Sequence, residues 1–232
     1  MRITILHGGC FPVPPLMGGA VEKIWFSLGK EFVRQGHSVV QVSRLFDNLP
    51  EREIIEGVQH FRLSGYDRPA TFTELFLKEF WFSFRALGHL PNADIIVTHS
   101  ITAPVLIRKA RFGKLYIHVA RFPKGQMKWY RHAHRIQAVS SAVADAIKQQ
   151  SRELAERISI VPYPHCQEQF SMLRETVKKE NIIVYAGRVH PEKGIHLLIE
   201  AFSLLPKEVR QGWELKIIGP CEITKGGGGD AY

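Results

Sequence analysis

Residues 181–202 read NIIVYAGRVHPEKGIHLLIEAF. The opening NIIVYA is a continuous apolar run, as expected for a strand buried on both faces of a parallel sheet. Gly187-Arg188 makes a turn. From Lys193 onward apolar residues return at helical spacing, with Ile195, Leu198, Ile199, Phe202 and Leu205 on one face. Residues 213–219, WELKIIG, read as the next strand. The segment is therefore a strand–turn–helix–strand unit, and the turn between its first strand and its helix carries two cations, Arg188 and Lys193.

The same grammar runs upstream. Residues 2–7 read as a short buried strand, followed by a loop with Gly8, Gly9, Pro12, Pro14 and Pro15. Val21, Ile24, Trp25, Leu28, Phe32 and Val33 then repeat at helical spacing, Gly36-His37 ends the helix, and residues 38–43 (SVVQVS) form a strand. Further strands are expected at 58–63, 94–98, 114–119, 135–139 and 158–161, and residues 71–87 (TFTELFLKEFWFSFRAL) are an aromatic-rich helix. Alternation of strand and helix predicts an α/β fold with a parallel sheet covered on both faces. Residues 167–180 are polar and linker-like. The 232 residues then divide into a complete Rossmann-like domain, 1–172, and the first part of a second, 173–232, which reaches only about two strands.

Composition narrows the function classes. With 45% hydrophobic and 23% charged residues, 14 Phe, 4 Trp and 6 Tyr, the chain has the apolar content of a folded soluble domain. Cys10, Cys166 and Cys221 are few, odd in number and form no CxxC, which excludes a disulfide scaffold or zinc finger. No apolar run approaches the ~18–20 residues of a membrane span. The apolar run at the N-terminus is too short for a signal-peptide core, so a cytoplasmic location is expected. The net charge of +9 is uneven: residues 1–150 hold 20 Lys+Arg against 11 Asp+Glu, and residues 151–232 hold 11 of each. Between Asp94 and Asp145 there is no acid, only Arg108, Lys109, Arg111, Lys114, Arg121, Lys124, Lys128, Arg131 and Arg135. Such a run is either a solvated face or a patch that attracts phosphate-bearing partners. No nucleic-acid recognition motif accompanies it, and no nucleic-acid partner is expected.

The block from Tyr185 to Phe202 closely resembles the GR…P-E-K-G…L-I-E-A-F signature of family 4 glycosyltransferases, which have the two-Rossmann GT-B architecture. Gly18-Gly19-Ala20-Val21-Glu22 with Arg34-Gln35-Gly36-His37-Ser38-Val39 resembles the family's opening. Asp94-Ile95-Ile96-Val97-Thr98-His99, Ala138-Val139-Ser140-Ser141 and residues 158–170 (ISIVPYPHCQEQF) resemble later elements in family order. Tyr163-Pro164-His165 departs from the usual Asn-Gly-Val.

The resemblance implies transfer of a sugar from a nucleotide-sugar to an acceptor hydroxyl, with retention and without a metal. No cofactor is expected, since the nucleotide-sugar is a substrate. Arg188 and Lys193 are implied to contact the donor diphosphate. Fixed cations there would stabilise the charge that grows on the leaving oxygen. Gly187 belongs to the same turn. Gly18 and Gly19 lack Cβ and would let backbone approach the donor phosphates. His118, near the end of the 114–119 strand, is implied to face the sugar, with Arg121 close behind, and a core histidine is the plainer alternative. His99 has similar but weaker standing. His132 and His134, at i,i+2 on an expected helix, would point apart and read as surface residues rather than metal ligands. The glycines 226–229 lack a following Lys-Ser/Thr and are not a P-loop, leaving a donor-side loop or a mobile tail.

In the 71–87 helix, Phe72, Leu75, Phe76, Phe80, Phe84 and Leu87 can form one buried stripe, with Trp81 and Phe82 off it. The other reading is an interfacial helix that works with the basic segment, including Arg121, Lys124, Lys128 and Arg131, at an anionic membrane surface. Under that reading the protein is peripheral to the inner membrane face, and the acceptor is a saccharide or a lipid-linked molecule. The rival to an active enzyme is a catalytically incomplete fragment or pseudoenzyme that binds acceptor, nucleotide or membrane. It rests on the lack of the family's downstream E-x7-E glutamates, and implies a chain truncated in its donor-binding domain.

Overall fold

The structure, a computed structural model, describes residues 1–69, 71–164, 179–222, 227–229 and 232. The chain forms two compact units, Met1–His165 and Cys166–Tyr232. The expected boundary at 172/173 and most of the expected linker lie outside the described residues.

The first unit is built on an eight-stranded sheet. Its strands are β1 (Arg2–Leu6), β2 (Ser38–Leu45), β3 (Arg52–Ile55), β4 (Val58–Ser64), β5 (Ile95–Thr98), β6 (Lys114–Val119), β7 (Arg135–Ala138) and β8 (Ile158–Ile160). They lie in the order β3-β4-β2-β1-β5-β6-β7-β8. All pairings are parallel except the β3–β4 hairpin. That hairpin edge escapes the hydrophobic pattern because it is made by its turn. Glu56 and Gly57 both take positive φ (47° and 82°), as a two-residue hairpin loop requires.

Four helical elements flank the strands: α1 (Ala20–Arg34), α2 (Phe72–Leu87), the single turn α3 (Ala103–Leu106) and α4 (Ser141–Gln150). One face of the sheet carries the larger core, in which Phe82, Ile96, Phe112, Ile117, Met127, Ile136 and Ile147 are buried beneath α2 and α4 and the connecting turns. The other face carries Ile3, Ile5, Val39 and Val97 packed on Trp25 of α1. This second face is covered less fully than the alternating pattern predicts. Beside α1 lies an apolar hollow of about 370 Å³, lined by Trp25, Leu28, Phe32, Ile95, Tyr116 and His118 among others. The reason is visible in the connections. β5 and β6 are joined through only one helical turn and a 3₁₀ turn, Ala110–Phe112, and β6 and β7 through the 3₁₀ turn Gln126–Trp129.

The aromatic helix is rotated relative to the expected stripe. Its buried face is Glu79, Phe82, Ser83 and Ala86, while Phe72, Phe80 and Phe84 are exposed. Polar groups set the rotation. Glu79 reaches the Gly9 amide at 3.1 Å, and Ser83 meets the hydroxyls of Thr102 at 2.9 Å and Ser100 at 3.3 Å. These partners exist only on the sheet side, and a buried polar group without one would cost about 1–3 kcal/mol.

The second unit pairs β9 (Ile182–Ala186) with β10 (Glu214–Ile218) in parallel, with α5 (Ile195–Leu204) and the short α6 (Lys207–Arg210) beside them. α5 begins two residues later than expected. Gly194 takes a left-handed conformation (φ 63°) that separates it from a preceding 3₁₀ turn, Pro191–Lys193.

Candidate active site

In open parallel sheets, ligands bind beyond the carboxyl ends of the strands where the strand order reverses. In the first unit that point lies between β1 and β5. β1 leads into His7 and β5 into His99, and both rings are shielded from solvent. Gln41 fixes the proton pattern there. Its amide N–H₂ donates to the Trp25 carbonyl (2.9 Å), so its Oε1 is left to accept from His7 Nε2 at 3.2 Å. His7 Nδ1 is then bare and accepts from His99 Nε2 at 3.2 Å. The buried carboxylate of Glu22, on the first turn of α1, stands 3.8 Å from His99 Nε2. Burial pushes both histidines below the ordinary imidazole value, His7 strongly, so both rings are neutral at pH 7.

The loop after β1 is tied down from the other side. Glu79 of α2 accepts from the Gly9 amide and from the Tyr66 hydroxyl. Burial, then the Glu79 charge, raise the Tyr66 pKa. A Cβ on Gly9 would strike the rings of Phe82 and Tyr66. Further along the loop Gly18 and Gly19 take φ of 83° and 92°, with open space around Gly18. A Cβ on Gly19 would run into the Glu22 carboxylate. Glycine at 19 is therefore what allows the loop to enter α1 with Glu22 turned inward.

His118 lies within β6 and is buried. Its Nδ1 accepts from Trp25 Nε1–H at 2.9 Å, which places the ring proton on Nε2. That Nε2–H is buried and finds no partner among the described residues. Burial, then the charge of His99, lower its pKa to about 3. His118 is thus a neutral ring with one committed nitrogen and one unused donor. Tyr163, where the sequence departs from the family pattern, meets it edge-on at 5.6 Å between ring centres.

In the second unit the cations stand on the turn beyond β9. The Gly187 amide donates to the Ile218 carbonyl at 2.9 Å, bringing the carboxyl ends of β9 and β10 together. Tyr185 donates its hydroxyl to the Arg188 carbonyl at 3.0 Å. The His190 ring caps the next turn by accepting from the Glu192 amide at 3.2 Å. Arg188 pairs with Glu192 at 2.5 Å, and this bond holds the Glu192 carboxyl below the usual carboxylate range. Lys193 is exposed. The glycine cluster packs against this turn where it is described: Gly228 donates to the Val189 carbonyl at 2.8 Å, and a Cβ there would crowd Pro191. Gly226 lies outside the described residues.

The basic run between Asp94 and Asp145 does not form one patch. β6 carries the chain along the strand direction, a rise of about 20 Å at about 3.3 Å per residue, so Lys114 and Arg121 lie beyond opposite ends of that strand. Lys124 stands over the Phe72 ring (5.3 Å) at the start of α2, and Lys128 over Trp129 (5.6 Å). Arg131 pairs with Glu153 at 3.3 Å, and Arg111 donates to the Leu87 and Leu90 carbonyls at the end of α2. His132 and His134 sit in a turn before β7 rather than on a helix. His132 contacts the Pro104 carbonyl at 2.7 Å. Among the described residues no group of three or more His, Cys, Asp and Glu could hold a metal.

Sequence reading did not single out His7, Gln41, Glu79 or Tyr66, and noted Glu22 only within a motif. The available signal was an acid in the most apolar stretch of a helix, Glu79 between Leu77 and Phe82.

A family model described as Glycosyltransferase Family 4 matches residues 17–164. The chain belongs to glycosyltransferase family 4. A second model, Glycosyl transferases group 1, matches residues 168–231. Comparison with curated protein sequences gives no match. Among solved structures, the family 4 chain is similar to sucrose-phosphate synthase from Thermosynechococcus elongatus (TM-score 0.62, 16% identity, 96% of this chain and 63% of that one). It is also similar to the catalytic domain of starch synthase IV from Arabidopsis thaliana bound to ADP and acarbose (0.68, 12%, 94% and 68%). A third is the lipopolysaccharide outer core galactosyltransferase WaaB in its apo form (0.60, 16%, 94% and 61%). The fold is α/β of the GT-B type, and the chain spans about two thirds of the length of these structures.

Proposed function

We propose that this family 4 protein transfers a sugar from a nucleotide-sugar donor to the hydroxyl of a saccharide or lipid-linked acceptor, with retention of configuration and without a metal or cofactor. The observation that carries the reading is the turn after β9. There Arg188 and Lys193 stand at the carboxyl end of a parallel strand pair, with Arg188 already oriented by a carboxylate, Glu192. As the bond from the anomeric carbon to the diphosphate oxygen breaks, negative charge grows on that oxygen. Arg188 exchanges Glu192 for phosphate, and Lys193 adds a second positive charge. The acceptor oxygen then bonds to the same face of the sugar that the diphosphate leaves, and its proton passes to the departing diphosphate oxygen. Gly187, in the same turn, gives backbone access to the donor phosphates.

In this reading His118 acts as a donor through Nε2–H to a sugar hydroxyl, not as an acid or base. Its other nitrogen is committed to Trp25 and its pKa of about 3 keeps it neutral. Arg121 assists on the acceptor side, with Lys124, Lys128 and Arg131 further out. A peripheral position at the cytoplasmic membrane face fits a lipid-linked acceptor. Among the described residues no helix is long and apolar enough to cross a membrane.

The test is transfer or donor hydrolysis with UDP-, GDP- and ADP-sugars. Arg188→Ala should lower kcat/KM about 10²–10³-fold, as expected on loss of a transition-state charge partner. Equal turnover by wild type and variant would remove Arg188 from the mechanism. A second reading, a protein that binds nucleotide, acceptor or membrane without turnover, draws on the shallow core of the second unit. Ile195 is its only buried apolar side chain among the described residues. Calorimetric donor binding with no transfer or hydrolysis would favour it.

A further inference from the structure

Apart from β3, the strands of the first unit run in one direction, so their amino ends gather at the end of the sheet opposite the crevice. There, where β7 and β8 begin, lies a surface cavity of about 540 Å³. One wall is the turn before β7, with Arg131, His132 and His134, followed by Arg135, the first residue of β7. The other is Glu156 and Arg157, at the end of the 3₁₀ stretch Arg152–Arg157 that leads into β8. The volume falls within the range of about 300–1,000 Å³ common to small-molecule sites.

Two guanidiniums in this lining are set in place by carbonyls rather than carboxylates. Arg157 donates through Nη1 to the carbonyls of Arg131 and Ala133, the latter at 2.9 Å. Arg135 donates through Nη1 to the Glu156 carbonyl at 3.3 Å. The bonds run in opposite directions and brace the two walls against each other. By contrast, Arg2, Arg44, Arg62 and Arg131 each face a carboxylate, that of Arg131 being Glu153. Among the described residues no carboxylate lies within 4.0 Å of Arg135 or Arg157. Each therefore keeps its charge uncompensated, and its Nε–H and Nη2 donors remain for another partner. Glu156 is the one acid in the lining. His132 registers the positive surroundings: burial, then the charge of Arg108 and, more weakly, that of Arg157 lower its pKa.

We infer that this cavity is a second anion site, apart from the crevice, and that it takes the phosphate monoester of a small organic molecule, held by Arg135 and Arg157. Planar guanidiniums match phosphate oxygens in pairs, and their orientation here is fixed before the ligand arrives. A phosphate group offers three acceptor oxygens and serves two guanidiniums at once, which the two oxygens of a carboxylate do less well. The cavity is larger than a lone phosphate ion needs, and the polar side chains of His134 and Arg131 line the remaining space for the ester's organic part. Glu156 opposes the ligand and sets a ceiling on its affinity. The site lies at the amino ends of the strands, so it does not depend on the proposed transfer reaction.

The experiment is calorimetric titration of the full chain carrying Arg188→Ala, which removes the cation proposed for donor diphosphates. The probes are glucose 6-phosphate, inorganic phosphate, glucuronate and glucose at ~0.1 M salt, where the Debye length is about 10 Å. Glucose 6-phosphate should bind most tightly and glucose not at all. Adding Arg135→Ala or Arg157→Gln should weaken glucose 6-phosphate about tenfold or more, the scale of one charge-assisted hydrogen bond. Adding Glu156→Gln should tighten it severalfold. Circular dichroism checks that the variants remain folded. Arg157 braces two carbonyls, so Arg135→Ala, which gives up a single bond at 3.3 Å, carries the test if Arg157→Gln unfolds. Four results would overturn the inference: no binding of glucose 6-phosphate, affinity unchanged by Arg135→Ala, weaker binding in Glu156→Gln, or inorganic phosphate or glucuronate bound as tightly as the ester.

Discussion

The two units differ in how they use charge. In the first, polar and ionisable groups are buried in networks: Gln41, His7, His99 and Glu22 form one chain of contacts, and Glu79 ties a loop to a helix. In the second, the strands are half exposed on both faces, and the cations of the Arg188–Lys193 turn stand near solvent. Stability is concentrated in the eight-stranded sheet, and solvent-accessible cations stand at the end of the two-stranded one. A buried charge costs several kcal/mol to desolvate and cannot be redirected, whereas an exposed arginine can exchange one anion for another.

Substitutions can break this contrast. The largest expected effect is at Arg62, fully buried in β4. It donates to the Val13 carbonyl (3.0 Å), the Pro50 carbonyl (2.7 Å) and Glu53 (2.8 Å). Arg62→Ala should destabilise the first unit by about 2–4 kcal/mol in urea unfolding, since it removes a fully buried side chain and strands the Val13 and Pro50 carbonyls. Next comes acid. His7, His60, His99 and His118 are all depressed, chiefly by burial, His60 to about 4 and His118 to about 3. The unfolded chain accepts protons near pH 6.5 that the folded chain refuses, so their contribution is fully present above that pH. It is lost as pH falls toward 4, at about 1.4 kcal/mol per pH unit for each proton. Urea midpoints measured from pH 7 to 4 should therefore fall for the first unit. The second unit has no buried histidine among its described residues, and hydrogen exchange resolved by unit should show it lacking this loss. Smaller still is Glu79→Ala, which strands the Gly9 amide and the Tyr66 hydroxyl and should cost about 1–3 kcal/mol. The smallest is Val184→Ala in β9. With 56% of that side chain exposed, it should cost less than about 1 kcal/mol. A larger loss at Val184 than at Glu79 would invert the comparison.

Much of the architecture was legible because strands and helices announce themselves by period. Every expected strand is present, from the one begun by Arg2 to the one ended by Ile218. β3 was not legible, since a Glu56-Gly57 turn rather than a hydrophobic run creates it. The face of α2 was misjudged for a related reason. Hydrophobicity alone ranks Phe80 and Phe84 as core, but Glu79 and Ser83 have partners on only one side, and satisfying them turns the helix. The same holds at the crevice. The glycines and His118 carry sequence signals, while the relay of His7, Gln41 and Glu22 exists only once β1, β2 and α1 are folded together. The single basic run was the opposite case: contiguous in sequence, it is divided by the passage of β6.

The central claim is that the Arg188 turn receives the diphosphate of a nucleotide donor. Calorimetric titration with UDP, GDP and ADP tests it most directly, on the wild type, Arg188→Ala and, as a cation control in the first unit, Lys114→Ala. The account predicts that at least one nucleoside diphosphate binds the wild type, that Arg188→Ala weakens it by about tenfold or more, the scale of one charge-assisted pair, and that Lys114→Ala leaves it unchanged. Binding of the same affinity by Arg188→Ala and wild type would contradict it.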